Sequence, residues 1–368
     1  MADINYSQSE CEQAEDFFCN QVNSPERQSN HETFRSPKVV LPLGTPFYST
    51  YHFQGLSGAI SVGNPSIRNW FLNESMMLSC ERVFLYGFSS PHMTILKSSW
   101  KESPCFYWYK YSMLYLYEYV HSLIEELIAN GYYVNFAEVD DYYLEGKSWY
   151  NKRHFSHDGL IYGYDHNDDT YDVYAYDMNW TYRGFKVKKE SFDKGRYALM
   201  DQGINGRLWG IKPVETQFVF DPAIVYRNLN EYINSTIDKY PLSAEGRING
   251  IVVHQYMAIY LDRLYHGLIQ YDKMDWRIFR VIWEQKVFML ERIKKIEEVL
   301  NFDSSISNHY SEVVREANTM RMLYASHRQK RRDEVLPHIK KKLLLIDGRE
   351  RNLLEKLLVR MDGILNNR

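Results

Sequence analysis

A histidine and an aspartate lie twenty positions apart in a tyrosine-rich block of the chain. His157 begins one segment of strand-like composition, and Asp177 ends the next one. Residues 165–169 (DHNDD) between them have the composition of a turn, which predicts a hairpin of two antiparallel strands. Since the open ends of a hairpin meet, the two side chains are expected side by side. A carboxylate that orients an imidazole in this way makes it a general base.

Two other interpretations of this block stay open. His157 is also explained as a strand histidine that makes an ordinary hydrogen bond. His154 is the alternative base, but a spacing of three positions along a strand points it to the opposite face from His157.

A base of this kind needs a nucleophile, and a cysteine thiolate suits it because an adjacent imidazolium lowers the thiol pKa. Cys80 precedes the histidine in the chain, within residues 69–86, whose apolar spacing predicts a helix. If that helix begins near Leu78, Cys80 lies at its N-terminus, which favours a thiolate. If it begins at Asn73, Cys80 lies two turns inside, as a packing thiol would. Cys105, in a predicted loop, is the alternative nucleophile.

The elements around these residues predict an α+β fold with an antiparallel sheet. Period-two patterns predict strands over about residues 132–139, 157–164, 171–176 and 182–187, after helices over about 69–86 and 111–129. Beyond residue 215 the pattern is helical, with candidates over 223–236, 245–268, 276–300, 311–330 and 332–364. We therefore expect a polar arm over residues 1–36, a catalytic domain over 37–215 and an all-helical domain over 216–368.

Composition excludes several classes of protein. The 368 residues are 45% hydrophobic with a net charge of -3, which suits a packed core rather than disorder. The four cysteines form no CxxC pair, and no Walker A, GxGxxG or HExxH motif occurs, so neither a metal nor a nucleotide cofactor is expected. The polar N-terminus is unlike a signal peptide, and no apolar run is long enough to span a membrane. These features predict a cytoplasmic protein with no membrane or nucleic-acid partner.

Two segments resemble a known family. Residues 139–165 (VDDYYLEGKSWYNKRHFSHDGLIYGYD) and residues 283–292 (WEQKVFMLER) are similar to papain-like transacylases encoded in nonribosomal-peptide clusters, such as the butirosin acyltransferase and the transacylase of closthioamide assembly. The resemblance covers roughly residues 38–300. It implies a papain-like cysteine-protease core in which His157 is the base and Asp177 its orienting carboxylate.

The resemblance also implies a reaction. An acyl group held as a thioester on the phosphopantetheine arm of an acidic carrier protein would pass to Cys80 and then to an amine, forming an amide. Asn73 would supply the oxyanion donor. Many relatives carry the nucleophile at the head of the first core helix, and the corresponding stretch, residues 51–55 (YHFQG), has no cysteine. A basic excess over residues 271–368 offers a docking surface for the carrier.

Two further functions share these residues. A cysteine peptidase or amidase would use the same triad with water as the acceptor. A non-catalytic binding protein would keep the fold without the chemistry, and its Cys80 would react like an ordinary thiol.

Overall fold

The computed structural model describes residues 36–235 and 246–365. Apart from residue 36, the expected polar arm lies outside these residues, as do Cys11 and Cys19. The described residues from 39 onward form one compact unit, and the division at residue 215 into a catalytic and a helical domain stays a prediction.

A large antiparallel sheet confirms the predicted strands and adds others. Its strands, in chain order, are β1 (Lys38–Val40), β4 (Phe106–Ser112), β5 (Tyr133–Asp140), β6 (Ser156–Asp165), β7 (Thr170–Tyr176), β8 (Tyr182–Lys188) and β9 (Arg207–Pro213). The spatial order is β4-β9-β5-β6-β7-β8, with β1 paired to β6. On one face of this sheet, α4 (Val120–Ala129) and α5 (Lys189–Met200) bury their apolar residues. The short helix α3 (Met113–Leu116) precedes α4.

A small second sheet replaces most of the helix predicted over residues 69–86. Helix α1 (His52–Ile60) is followed by α2 (Ser66–Glu74), which ends well before the predicted point. The next element is strand β2 (Leu78–Glu81), which pairs with β3 (Met93–Ile95) and β10 (Arg247–Asn249). Because β10 is far away in the sequence and β3 follows only after residues 82–92, the apolar spacing around β2 was also compatible with a helix.

The helical region predicted after residue 215 is confirmed among the described residues, but it is not all-helical, because β10 of the small sheet lies within the helix predicted over 245–268. Its helices are α6 (Pro222–Asn234), α7 (Val253–Tyr265), α8 (Ile278–Val299), α9 (Ser305–Lys330) and α10 (Leu336–Leu365). Pro337 stands in the first turn of α10, where its missing N–H costs no hydrogen bond. The apolar stripe of α8 faces a core that also receives α1, α2 and both edges of the small sheet. In the part of the chain that the structure describes, no helix is both long and apolar enough to cross a membrane.

Candidate functional site

The side chains best suited to catalysis or metal binding lie together where the first residue of α1 approaches the start of β6. His52, His157 and Asp158 each offer a nitrogen or oxygen atom, and the three atoms lie within 4.8 Å of one another. Asp141 and Lys147 stand behind His157. We refer to His52, His157, Asp158, Asp141 and Lys147 as the histidine cluster. His157 is the only one of the five that the sequence had singled out.

His52 is buried, with only 6% of the residue exposed. Its ring is enclosed by those of His157, Tyr176 and Tyr182, at centroid distances of 4.8, 5.2 and 5.1 Å. Neither ring nitrogen has a hydrogen-bond partner among the described residues. Burial lowers the pKa of His52 to about 3, so the imidazole is neutral at physiological pH.

The segment that leads into His52 is held by the helical region. Glu284 of α8 accepts hydrogen bonds from the backbone N–H and the hydroxyl of both Ser49 and Thr50. Arg280, one turn earlier, donates to Glu284 and to the Ser49 hydroxyl. Because Ser49 and Thr50 together donate four hydrogen bonds to this carboxylate, α8 fixes the backbone that leads into α1 and thereby the position of His52.

His157 is oriented from the Nδ1 side of its ring. Nδ1 lies 3.2 Å from Asp141 Oδ2 and 3.2 Å from Lys147 Nζ. Lys147 forms an ion pair with Asp141 at 3.1 Å and donates to the carbonyl of Asp158 at 3.0 Å. Since the ammonium has these acceptors, we assign the Nδ1 proton to a hydrogen bond with Asp141. This tautomer leaves a lone pair on Nε2, on a ring whose side chain is 26% exposed.

Asp158 comes into the cluster through an irregularity of the sheet. Phe136 pairs with Gly159 and Val139 with His157, so two residues of β5 lie opposite Asp158 alone. Such a β-bulge twists the strand locally and re-aims side chains. Adjacent residues of a regular strand point to opposite faces, yet Asp158 Oδ1 lies 3.5 Å from His157 Nε2 and 3.8 Å from His52 Nε2. The two imidazoles and Lys147 outweigh burial and lower the pKa of Asp158.

Asp177 is not the carboxylate that orients His157, which corrects the expectation from sequence. The register that sets Leu160 opposite Tyr174 would, if continued, set His157 opposite Asp177, but the pairing stops at Leu160. Asp177 instead accepts hydrogen bonds from the backbone N–H of Asn179 and Thr181 in the β7–β8 turn. It also forms an ion pair with Arg183 at 2.5 Å. The turn binds this carboxylate, and the carboxylate that lies beside His157 Nδ1 is Asp141.

Cys80 does not join the histidine cluster either. It lies in the middle of β2, fully buried between Met93 and Ile248 of the neighbouring strands. Burial raises the pKa of its thiol far above the ordinary value, and Arg247 offsets this only in part. Cys105 is also fully buried, and burial raises its pKa to about 12. Both thiols have the character of packing residues rather than of activated nucleophiles.

Asn73 and His154 also have other partners. Asn73, in the last turn of α2, donates to the carbonyl of Val219 and accepts from the N–H of Asp221, so it ties α2 to the start of α6. His154 pairs with Asp140 at 2.6 Å and stacks on Tyr142, but most of its side chain is exposed. His154 therefore forms a hydrogen-bonded pair with Asp140 at the surface, and Asn73 links two elements of the fold.

The sequence carried a weak signal for the residues that were missed. Asp141 and Lys147 lie within residues 139–165, and His52 lies within residues 51–55, two stretches that were compared with papain-like transacylases on sequence grounds alone. A lone histidine and an acidic strand end are common, however, and only the fold brings them to His157.

The Asp177 carboxylate gives a pH-dependent prediction for stability. Burial alone would raise its pKa, but the N–H groups of Thr181 and Asn179 together with Arg183 lower it. A lowered folded-state pKa stabilises the fold above the unfolded value of about 3.9, and this stabilisation is lost as pH falls through the folded value. We expect the Tm of Asp177→Asn to lie below wild type at pH 7 and the gap to close on acidification below about pH 4.

Thermal unfolding followed by circular dichroism at several pH values measures this gap. Asp201→Asn, at an exposed position after α5, is the matched control and should show no such closing gap. A gap for Asp177→Asn that stays constant with pH would contradict the prediction.

Two comparisons with known proteins found no match for this chain. No protein-family model matches the chain, and no curated protein matches it.

Proposed function

We propose that the protein transfers an acyl group from a carrier-protein thioester to an amine, with His157 as general base and Asp141 as its orienting carboxylate. The observation that carries the proposal is the contact between His157 Nδ1 and Asp141, at 3.2 Å, on a histidine whose side chain is 26% exposed. A buried carboxylate that holds one nitrogen of a partly exposed imidazole is the arrangement of a general base.

The reaction requires no enzyme thioester. The amine attacks the thioester carbonyl while His157 Nε2 accepts its proton, so that a C–N bond forms. The C–S bond then breaks, and the proton passes from the imidazolium to the departing thiolate of the phosphopantetheine arm. This route differs from the transfer through Cys80 that the resemblance implies, because both described cysteines are buried with raised pKa values.

Two observations support a papain-like core for this protein. Asp141, Lys147, His157 and Asp158 all fall within residues 139–165, the segment that resembles papain-like transacylases. His52 begins the helix that packs against the start of β6, which is the place of the nucleophile in that fold. An acidic carrier protein as donor and an amine as acceptor follow from the same resemblance, as does docking of the carrier on the basic C-terminal region.

Kinetics with an acyl-pantetheine donor and a diamine acceptor test the proposal. Direct transfer predicts sequential kinetics, amide product and no acylated enzyme by intact-protein mass spectrometry. Ping-pong kinetics and a stable acyl adduct on the enzyme would overturn the direct route. Acid release at an equal rate with and without amine would instead favour the peptidase or amidase function. If neither reaction occurs with any donor, the acyl-transfer proposal falls and the non-catalytic function gains support.

A further inference from the structure

We infer that His52, His157 and Asp158 form a binding site for a divalent transition-metal ion. The three atoms that face one another are His52 Nε2, His157 Nε2 and Asp158 Oδ1. The oxygen lies 3.5 Å from the His157 nitrogen and 3.8 Å from the His52 nitrogen. Two ligands of a tetrahedral ion with bonds of about 2.1 Å stand about 3.4 Å apart, so a small inward movement brings all three into coordination.

The second observation is the state of His52. Its ring is more than nine-tenths buried, and both nitrogens are without partners among the described residues. A buried polar nitrogen with no hydrogen bond costs about 1–3 kcal/mol, so such a group in a well-packed site needs an explanation. Neither Tyr176 nor Tyr182 forms a hydrogen bond with a His52 nitrogen, and Asp158 Oδ1 lies 3.8 Å from Nε2. A cation between Nε2 and Asp158 would provide a partner for this nitrogen.

The surroundings resemble those of known metal ligands. A ligating histidine commonly donates its second ring N–H to a carboxylate, which fixes the ring and raises its basicity. His157 has this support, because Nδ1 faces Asp141 while Nε2 faces Asp158. Lys147 neutralises Asp141 from the same Nδ1 side.

The ligand set selects the class of cation. Two imidazoles and one carboxylate suit zinc, iron, cobalt, nickel or manganese rather than calcium or magnesium, which prefer oxygen. Three protein ligands leave at least one coordination position open. His157 and Asp158 are each partly exposed, so an ion can reach the site from solvent on their side.

Cobalt titration of the full-length, tag-free chain after chelator treatment tests the site without any substrate. Wild type is expected to bind one Co²⁺ with the absorption bands of nitrogen and oxygen coordination. Asp141→Asn removes the carboxylate that supports His157 and is expected to weaken cobalt binding by roughly 10–100-fold. His52→Gln and Asp158→Asn each remove a ligand and should weaken binding at least as much. Asp158→Asn keeps the test valid if the buried His52 variant folds poorly.

His154→Gln is the matched control, because His154 is a nearby histidine with its own carboxylate partner outside the site. It should bind Co²⁺ like wild type. Absence of stoichiometric cobalt binding to wild type would overturn the inference, as would an equal loss in His154→Gln and His52→Gln. The binding measurement does not depend on acyl transfer, so its failure and that of the proposed function are separate results.

The two proposals meet at His157 Nε2, which cannot hold a metal ion and accept a proton at once. Where the acyl-transfer proposal holds, a bound cation inhibits the reaction over the concentration range in which it binds. An enzyme that instead loses activity with chelator and regains it with metal would confirm the metal site and overturn the assignment of His157 as the base.

Discussion

Replacing His157 by glutamine is expected to lower the rate of acyl transfer by about 10²–10⁴-fold. Glutamine keeps the size and polarity of the side chain but cannot accept the proton from the amine. Asp141→Asn should lower the rate in the same direction, because an amide does not stabilise the imidazolium that forms as the amine attacks. Rates of amide formation from an acyl-pantetheine and a diamine measure both effects.

Two variants from the sequence-based triad are the controls. Asp177→Asn should leave the rate near wild type at neutral pH, since Asp177 serves the β7–β8 turn. Cys80→Ala should do the same, because its buried thiol does not contact the histidine cluster. Loss of activity in Cys80→Ala with an intact fold would contradict the direct route and restore the cysteine as nucleophile. A loss in Asp177→Asn as large as that in Asp141→Asn would contradict the new assignment of the carboxylate.

Replacing Glu350 by glutamine is expected to cost about 3–5 kcal/mol of stability. Glu350 of α10 is fully buried and forms an ion pair with Lys286 of α8 at 2.6 Å, and Lys286 is also fully buried. Tyr310 and Tyr232 donate hydrogen bonds to the same carboxylate. Without the negative charge of Glu350, the Lys286 ammonium loses its ion-pair partner in the helical core. Burial disfavours the charged lysine, and Asp347 is then the remaining carboxylate that favours it.

A double variant separates the charge from the packing. Lys286→Met with Glu350→Gln removes both charges and keeps an amide oxygen as acceptor for Tyr310 and Tyr232. It should recover most of the stability that Glu350→Gln alone loses, because no unpaired ammonium then remains buried. Urea unfolding followed by circular dichroism measures the three free energies. Glu350→Gln with wild-type stability would show that the buried lysine is neutral in the folded protein, contrary to this account.

The helices of the C-terminal region show how far local pattern reaches. The apolar spacing over residues 276–300 predicted a helix that the structure confirms as α8, because a helix makes its hydrogen bonds within its own segment. The two strands of the hairpin around residues 165–169 could also be predicted from the sequence, because a short turn pairs neighbouring segments. Strand β2 could not be predicted in this way. One partner, β10, is far away in the sequence, and the other, β3, follows only after residues 82–92, so local spacing alone did not distinguish β2 from a helix.

The candidate site divides in the same way. The sequence by itself identified His157 as the residue most suited to chemistry and placed it at the start of a strand near a carboxylate. Which carboxylate lies beside it was decided by tertiary structure, because the β7–β8 turn binds Asp177 and because Asp141 directly follows the last residue of β5. His52 enters only because the distant Glu284 anchors the segment before α1. Such contacts depend on the packing of remote elements, which residue types and spacing do not specify.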